Sequence, residues 1–85
     1  MKIFDDLFRS IEKHNGTRSS ALLAQAMASA CSDRYTVSLA SVCAVLDSQS
    51  KEVFDRLVRI AQEPDFSNAD QDRALDKLRA LGFID

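Results

Sequence analysis

Apolar positions recur along this chain at the spacing of helices. Ile3, Phe4, Leu7, Phe8 and Ile11 fall at i, i+1, i+4, i+5 and i+8, one stripe of a 3.6-residue repeat. Asp5 and Asp6 stand in the first turn and Lys13 and His14 in the last, so both ends suit the helix dipole. Asn15-Gly16 tolerates left-handed backbone and supplies the stop. The pattern predicts a first helix over residues 3–14.

Residues 19–32, SSALLAQAMASACS, carry no charge. Leu22, Leu23, Ala26, Met27, Ala30 and Cys31 make a broad apolar band, and Ala21, Ala24 and Ala28 line an adjoining side. A helix that is apolar almost all round belongs in the middle of a structure. Ala and Ser let neighbouring helix axes approach where Leu would hold them apart. Residues 19–32 are therefore predicted as a buried central helix, with Thr17, Ser19 or Ser20 as its N-cap.

A second uncharged run, YTVSLASVCAVL over residues 35–46, reads two ways. Tyr35, Val37 and Leu39 alternate with Thr36 and Ser38, as in a short strand. Leu39, Val42, Cys43 and Leu46 instead fit i, i+3, i+4 and i+7. No second strand exists to pair with the first, which favours a helix over 37–47. A fourth helix, 51–62, is capped by Ser48 or Ser50 and turns Val53, Phe54, Leu57, Val58 and Ala61 inward. Glu63-Pro64 ends it, because the residue before proline is pushed out of the helical region. Ser67 caps a fifth helix, 68–81, with Asp70 at N3 and a stripe of Ala74, Leu75, Leu78 and Leu81. Gly82 at C′ sets Phe83 opposite Leu78, the apolar contact of a Schellman ending.

Composition agrees with this reading. Two Gly and one Pro in 85 residues are too few breakers for a sandwich or barrel. The expected fold is all-α: one domain over 1–85, a compact bundle or orthogonal array of about five short helices. Net charge is −2 with the signs interspersed, so the global field does not attract nucleic acid. Cys31 and Cys43 match neither a zinc spacing nor a C-x-x-C pair, and are expected to behave as core residues. The acidic start MKIFDDLF does not read as an export signal, and no uncharged run reaches the length of a bilayer span. A cytoplasmic location with reduced thiols is the expectation.

Chemistry is sparse. His14 is the one histidine and sits in a polar helix end, where it serves the dipole. Carboxylates such as Asp5, Asp6, Asp70, Asp72 and Asp76 lie on solvated faces beside Lys and Arg, not alone in an apolar stripe where their pKa values would separate. The two glycines stand singly at helix ends, so no phosphate loop exists. No catalytic, cofactor or metal site is expected, and no small-molecule substrate. From Leu39 to Val58 the chain resembles a helix-turn-helix, with Val42 and Leu46 on the inner face, Cys43 at the crossing and Val53 inside the second helix. Asp47, Ser48 and Arg56 depart from that pattern. The resemblance implies DNA contacts by Gln49, Lys51, Arg56 and Arg59, with Glu52 and Asp55 among them. DRALDKLRALGFID is similar to the last helix of a winged-helix domain, without the wing. The first expectation is a non-enzymatic protein-binding module (an adaptor, inhibitor or self-associating protein), with Tyr35 and Phe66, aromatics in connectors, as contact residues. A degenerate DNA-binding regulator is the alternative, and a membrane surface is not expected.

Overall fold

Thr17 starts the element on which the rest is assembled. Its extended backbone lets its Oγ accept the N–H of Ser20 at 3.2 Å, so one of the orphan donors of the first turn is satisfied. The Ser20 hydroxyl, itself buried, donates to the carbonyl of Ile11 at 3.2 Å and ties this helix start to the preceding helix. The computed structural model describes every residue from Met1 to Asp85. It contains α1 (Lys2–Lys13), α2 (Arg18–Cys31), α3 (Leu39–Val45), α4 (Ser48–Val58) and α5 (Asn68–Ala80), with a 3-10 turn at Ile60–Gln62 and no strand.

α2 touches all four other helices, and α1 also packs on α4. Leu23, Ala24, Ala26, Met27 and Ala28 are buried to within 2% of complete exclusion, so the chargeless stretch lies at the centre as its composition predicts. Ala24 and Ala28 are wholly excluded from water beside Leu23 and Met27. Small side chains on one flank bring axes together, and long ones on the other fill the core. Around α2 close Ile3, Phe4, Leu7, Phe8 and Ile11 from α1, Val42 and Leu46 from the α3 region, Leu57 from α4, and Ala74, Leu78 and Ile84 from the C-terminal segment. Lys77 lays its ammonium over the Phe8 ring, 4.3 Å from the centroid, and roofs that edge of the core. The accessible surface, 5156 Å², is close to the roughly 5000 Å² of an isolated 9.4 kDa protein. One chain thus closes its own core.

Local signals explain most boundaries. Gly16 takes φ +83° after α1, and Gly82 takes φ +86° after α5. At Gly82 the Schellman ending is complete: Phe83 N–H reaches the Leu78 carbonyl at 3.0 Å, and Gly82 N–H reaches Arg79 at 3.1 Å. Ser67 caps α5 by accepting the N–H of Asp70 at 3.3 Å. Residues 35–46 combine both expected forms. The chain runs extended to Ser38, which caps α3, and turns helical only from Leu39 to Val45.

Three expectations are corrected. α4 begins at Ser48, not 51, because Asp47 is the cap and accepts the N–H of Ser50 at 2.8 Å. This bond holds the Asp47 carboxyl below its ordinary pKa. Helix geometry also breaks at Arg59, whose N–H folds back on Arg56 at 3.2 Å, so the stretch before Pro64 is a 3-10 turn. The second correction concerns stripes: Leu39, Val58 and Leu81 stand 64%, 69% and 50% exposed, and Ala61 is also open. The third is Cys43, which is exposed and not a core residue.

If α2 is held by close approach, enlarging its small flank must disrupt the bundle. Ala24→Leu or Ala28→Leu should destabilise by about 1–3 kcal/mol, read as a fall of several degrees in melting temperature. Ala21→Leu, on the open side of the same helix, should change it by less than about 0.5 kcal/mol.

Candidate functional site

The largest uncovered apolar feature is a groove of about 300 Å³ beside α4. Its α2 side is made by Ala26, Ser29 and Ala30, whose short side chains leave a trough where Leu or Met would have filled the gap. Phe54, Leu57 and Val58 of α4 form the opposite side, Ile60 of the 3-10 turn closes one end, and Val37 of the extended connector adds a further wall. No charged side chain lines it, and the one polar residue, Ser29, spends its hydroxyl on the Ala26 carbonyl at 3.0 Å. Leu57 and Ala26 are buried at its base, while Val58 stands at the lip. Next along the chain, α3 packs chiefly on α2 through Val42 and leaves Leu39, Ala40, Cys43 and Ala44 open to water. That set is an uncharged helical stripe with i, i+1, i+4, i+5 spacing.

The sequence-derived contact residues take different places. Phe66 is 42% exposed in the turn before α5, as expected of a connector aromatic. Tyr35 is half-buried and packs against the core, with Arg34 over its ring at 5.7 Å. Its hydroxyl is buried and accepts or donates no hydrogen bond. Neither lines the groove. Of the residues that do, periodicity assigns Phe54, Leu57 and Val58 to the interior and gives Val37 and Ile60 no role there. No signal in the chain separates an apolar residue that is covered from one that is not.

For the DNA-contact set, Gln49, Lys51 and Arg59 are exposed on or beside α4, together with Glu52 and Asp55. Arg56 is engaged elsewhere. Its Nε reaches Glu63 at 2.8 Å and its NH1 reaches Asp6 on α1 at 3.1 Å, so it braces α4 against α1 and the following turn. These two carboxylates raise the pKa of the guanidinium further.

A polar cleft of about 260 Å³ lies between α1 and the start of α4, lined by Arg9, Lys13, His14, Gln49 and Ser50 among others. Asp6 sits within it, 3.5 Å from Arg9, and Asp47 lies close enough to Lys13 and His14 to feel both. Cations and carboxylates there balance, so the cleft has no anion-selective field. His14 is the half-buried cap residue of α1. No group of three or more His, Cys, Asp or Glu side chains assembles a metal site. Burial pushes the Cys31 thiol up to about 11, with Asp72 adding to the shift. No helix is long and apolar enough to cross a membrane. No family model matches this chain, and no curated protein or solved structure matches it either.

Two measurements check this placement. An unpaired buried hydroxyl is a loss to the folded state of about 1–3 kcal/mol, so Tyr35→Phe should leave the melting temperature unchanged or raise it by several degrees. A clear fall would show that the hydroxyl has a bonding partner. Iodoacetamide at pH 8 should label Cys43 in the folded protein and leave Cys31 unmodified, since a thiol with a pKa near 11 is only about a thousandth thiolate there. Cys43→Ser should abolish that labelling.

Proposed function

We propose that this chain is a small protein-binding module that works without chemistry of its own, and that its contact surface is the uncharged edge formed by the groove and the outer face of α3. The observation that carries this reading is Val58, 69% exposed at the lip of a trough with no charged lining. A core that closes within one chain leaves such an edge without a structural task. An apolar surface rimmed by polar residues is the usual mark of a protein contact. The reading places the chain in the cytoplasm, where both thiols stay reduced.

Duplex binding through Gln49, Lys51 and Arg59 has less support. Arg56 is held by two carboxylates, and Glu52 and Asp55 place negative charge on the helix that would face the phosphates. Self-association through the small-residue flank of α2 has less support, because Ala24 and Ala28 on that flank are wholly buried within the chain.

A photoreactive residue placed at Leu39 or Val58 should give the same discrete protein adduct in the cells that make this chain. Val58→Asp should abolish the adduct formed from the Leu39 position, with the melting temperature held within a few degrees because Val58 is already in water. An adduct that survives Val58→Asp, or that forms equally well from Glu12 on the far surface of α1, would remove the reading. Retention on a duplex-DNA column at low salt, lost on Lys51→Ala with Arg59→Ala, would put the alternative in its place.

A further inference from the structure

We infer that residues 33–46 form a flap, which leaves the bundle as one unit while α1, α2, α4 and α5 stay assembled. The inference goes beyond the protein-binding reading and holds whether or not the uncharged edge meets a partner.

Polar contacts divide the molecule in two. Ser20 of α2 donates to the Ile11 carbonyl of α1 at 3.2 Å, and Arg56 of α4 reaches Asp6 of α1 at 3.1 Å. Gln25 of α2 donates to the Phe83 carbonyl beyond α5 at 3.2 Å, and the Lys2 N–H bonds to Asp65 at 2.7 Å. Residues 33–46 have no such tie. The Arg34 and Tyr35 N–H groups bond to Ser32, those of Ser41 and Val42 to Ser38, and that of Leu46 to Val42, so each bond closes within four residues. Neither Asp33 nor Arg34 joins an ion pair. The N–H and C=O groups of Thr36 and Val37 have no partner in the chain.

Apolar contact is the whole of the hold, and it is small. Val42 and Leu46 are the only buried residues of the fourteen, and Tyr35 and Val37 pack partly against the core. Tyr35 also works against the shut form. Its hydroxyl oxygen is buried without a hydrogen-bond partner, and opening returns it to water. Few buried apolar side chains and wet main-chain groups are the marks of a unit that opens before the rest. A seven-residue helix does not persist alone in water, so α3 melts as the flap leaves.

The borders permit the motion. Ser32 ends α2 with its N–H on the Ala28 carbonyl, and Asp47 starts α4 by accepting the Ser50 N–H. Both capping bonds lie outside the flap and survive its release. Fourteen residues reach roughly 46 Å when extended, more than the 30 Å long axis of the molecule, so the freed segment spans its fixed ends without strain. Contacts of α2 with α1, α4 and α5, and of α1 with α4, remain. Val37 is one wall of the groove, and α3 covers part of α2. Opening takes that wall away and uncovers more of α2, so the flap sets how wide the apolar edge is.

Native-state hydrogen exchange of the full chain in low urea, followed by NMR, tests this. The Val42 and Leu46 amides should share one protection factor within about threefold, at least about tenfold below those of Leu23 and Leu78, with a weaker urea dependence. Ile3→Val, in α1, weakens the bundle equally with the flap shut or open. It should speed exchange at Leu23 and Leu78 by roughly threefold to tenfold and leave Val42 and Leu46 unchanged. Tyr35→Phe should slow Val42 and Leu46 together by about fivefold or more. Val42 and Leu46 exchanging as slowly as Leu23 and Leu78, or speeding up equally on Ile3→Val, would mean opening only with the whole molecule and overturns the inference. Protection that differs between Val42 and Leu46 by more than about threefold, or that Tyr35→Phe leaves unchanged, marks fraying of single turns and overturns it too. The urea dependence of the wild type needs no variant, so it decides alone if a substitution unfolds the chain.

Discussion

One helix has to touch four others at once, and that constraint governs this molecule. A helix is about 10 Å across with its side chains, so crowding neighbours around it requires that some of those side chains be nearly absent. α2 meets the requirement with Ser20, Ala24 and Ala28, all buried, while Leu23 and Met27 supply volume on the adjoining side. Ser20 shows how a polar residue is accommodated there. Its hydroxyl has a carbonyl partner on α1, so burial leaves nothing unpaired.

The same economy of side-chain volume produces the groove. Ala26 and Ala30 lie on the part of α2 that α4 does not fully cover, and Val37, the one connector residue that reaches the space, lines it without filling it. The position of α4 is set by polar contacts at both of its ends. Arg56 pins that helix to Asp6 of α1 and to Glu63, and Asp47 fixes its start. Exposed ion pairs contribute little each, about 0–1 kcal/mol, but here they act on position more than on stability. The trough is the residue of a packing problem solved elsewhere in the bundle.

How much of this was legible in the sequence follows from what each signal physically encodes. Capping chemistry is local, so Thr17, Ser67 and the Gly82 ending were readable from a few adjacent residues, and the Phe83–Leu78 closure followed in detail. Central placement of α2 was readable because lack of charge over fourteen positions has only one comfortable environment. Periodicity failed at Leu39, Cys43 and Val58 for a specific reason. A stripe states that a face is apolar, but coverage depends on whether another element is long enough to reach it. α3 is a seven-residue helix at the edge, so its second face meets no neighbour. The contact candidates failed in the complementary direction. Tyr35 lies in a connector yet turns its ring inward, because an extended segment crossing a core must alternate. No groove residue was legible as such, since a groove is defined by side chains that are missing from the opposite wall.

Stability and binding are therefore separable in this fold to an unusual degree. α1, α2 and α5 supply Ile3, Leu7, Ile11, Leu23, Met27 and Leu78, the large side chains most fully withdrawn from water. The edge built from the connector, α3 and the end of α4 contributes Val42, Leu46 and Leu57 to that core, packs Val37 and Phe54 only partly against it, and leaves Leu39 and Val58 exposed. An exposed valine at the end of a helix adds little to folding, because its transfer from water is not completed. It regains that transfer only when something covers it. Substitutions along this edge should then act on association before they act on the fold, whereas changes on the small flank of α2 should do the reverse. The chain is a closed bundle on one side and leaves an apolar, uncharged edge uncovered on the other.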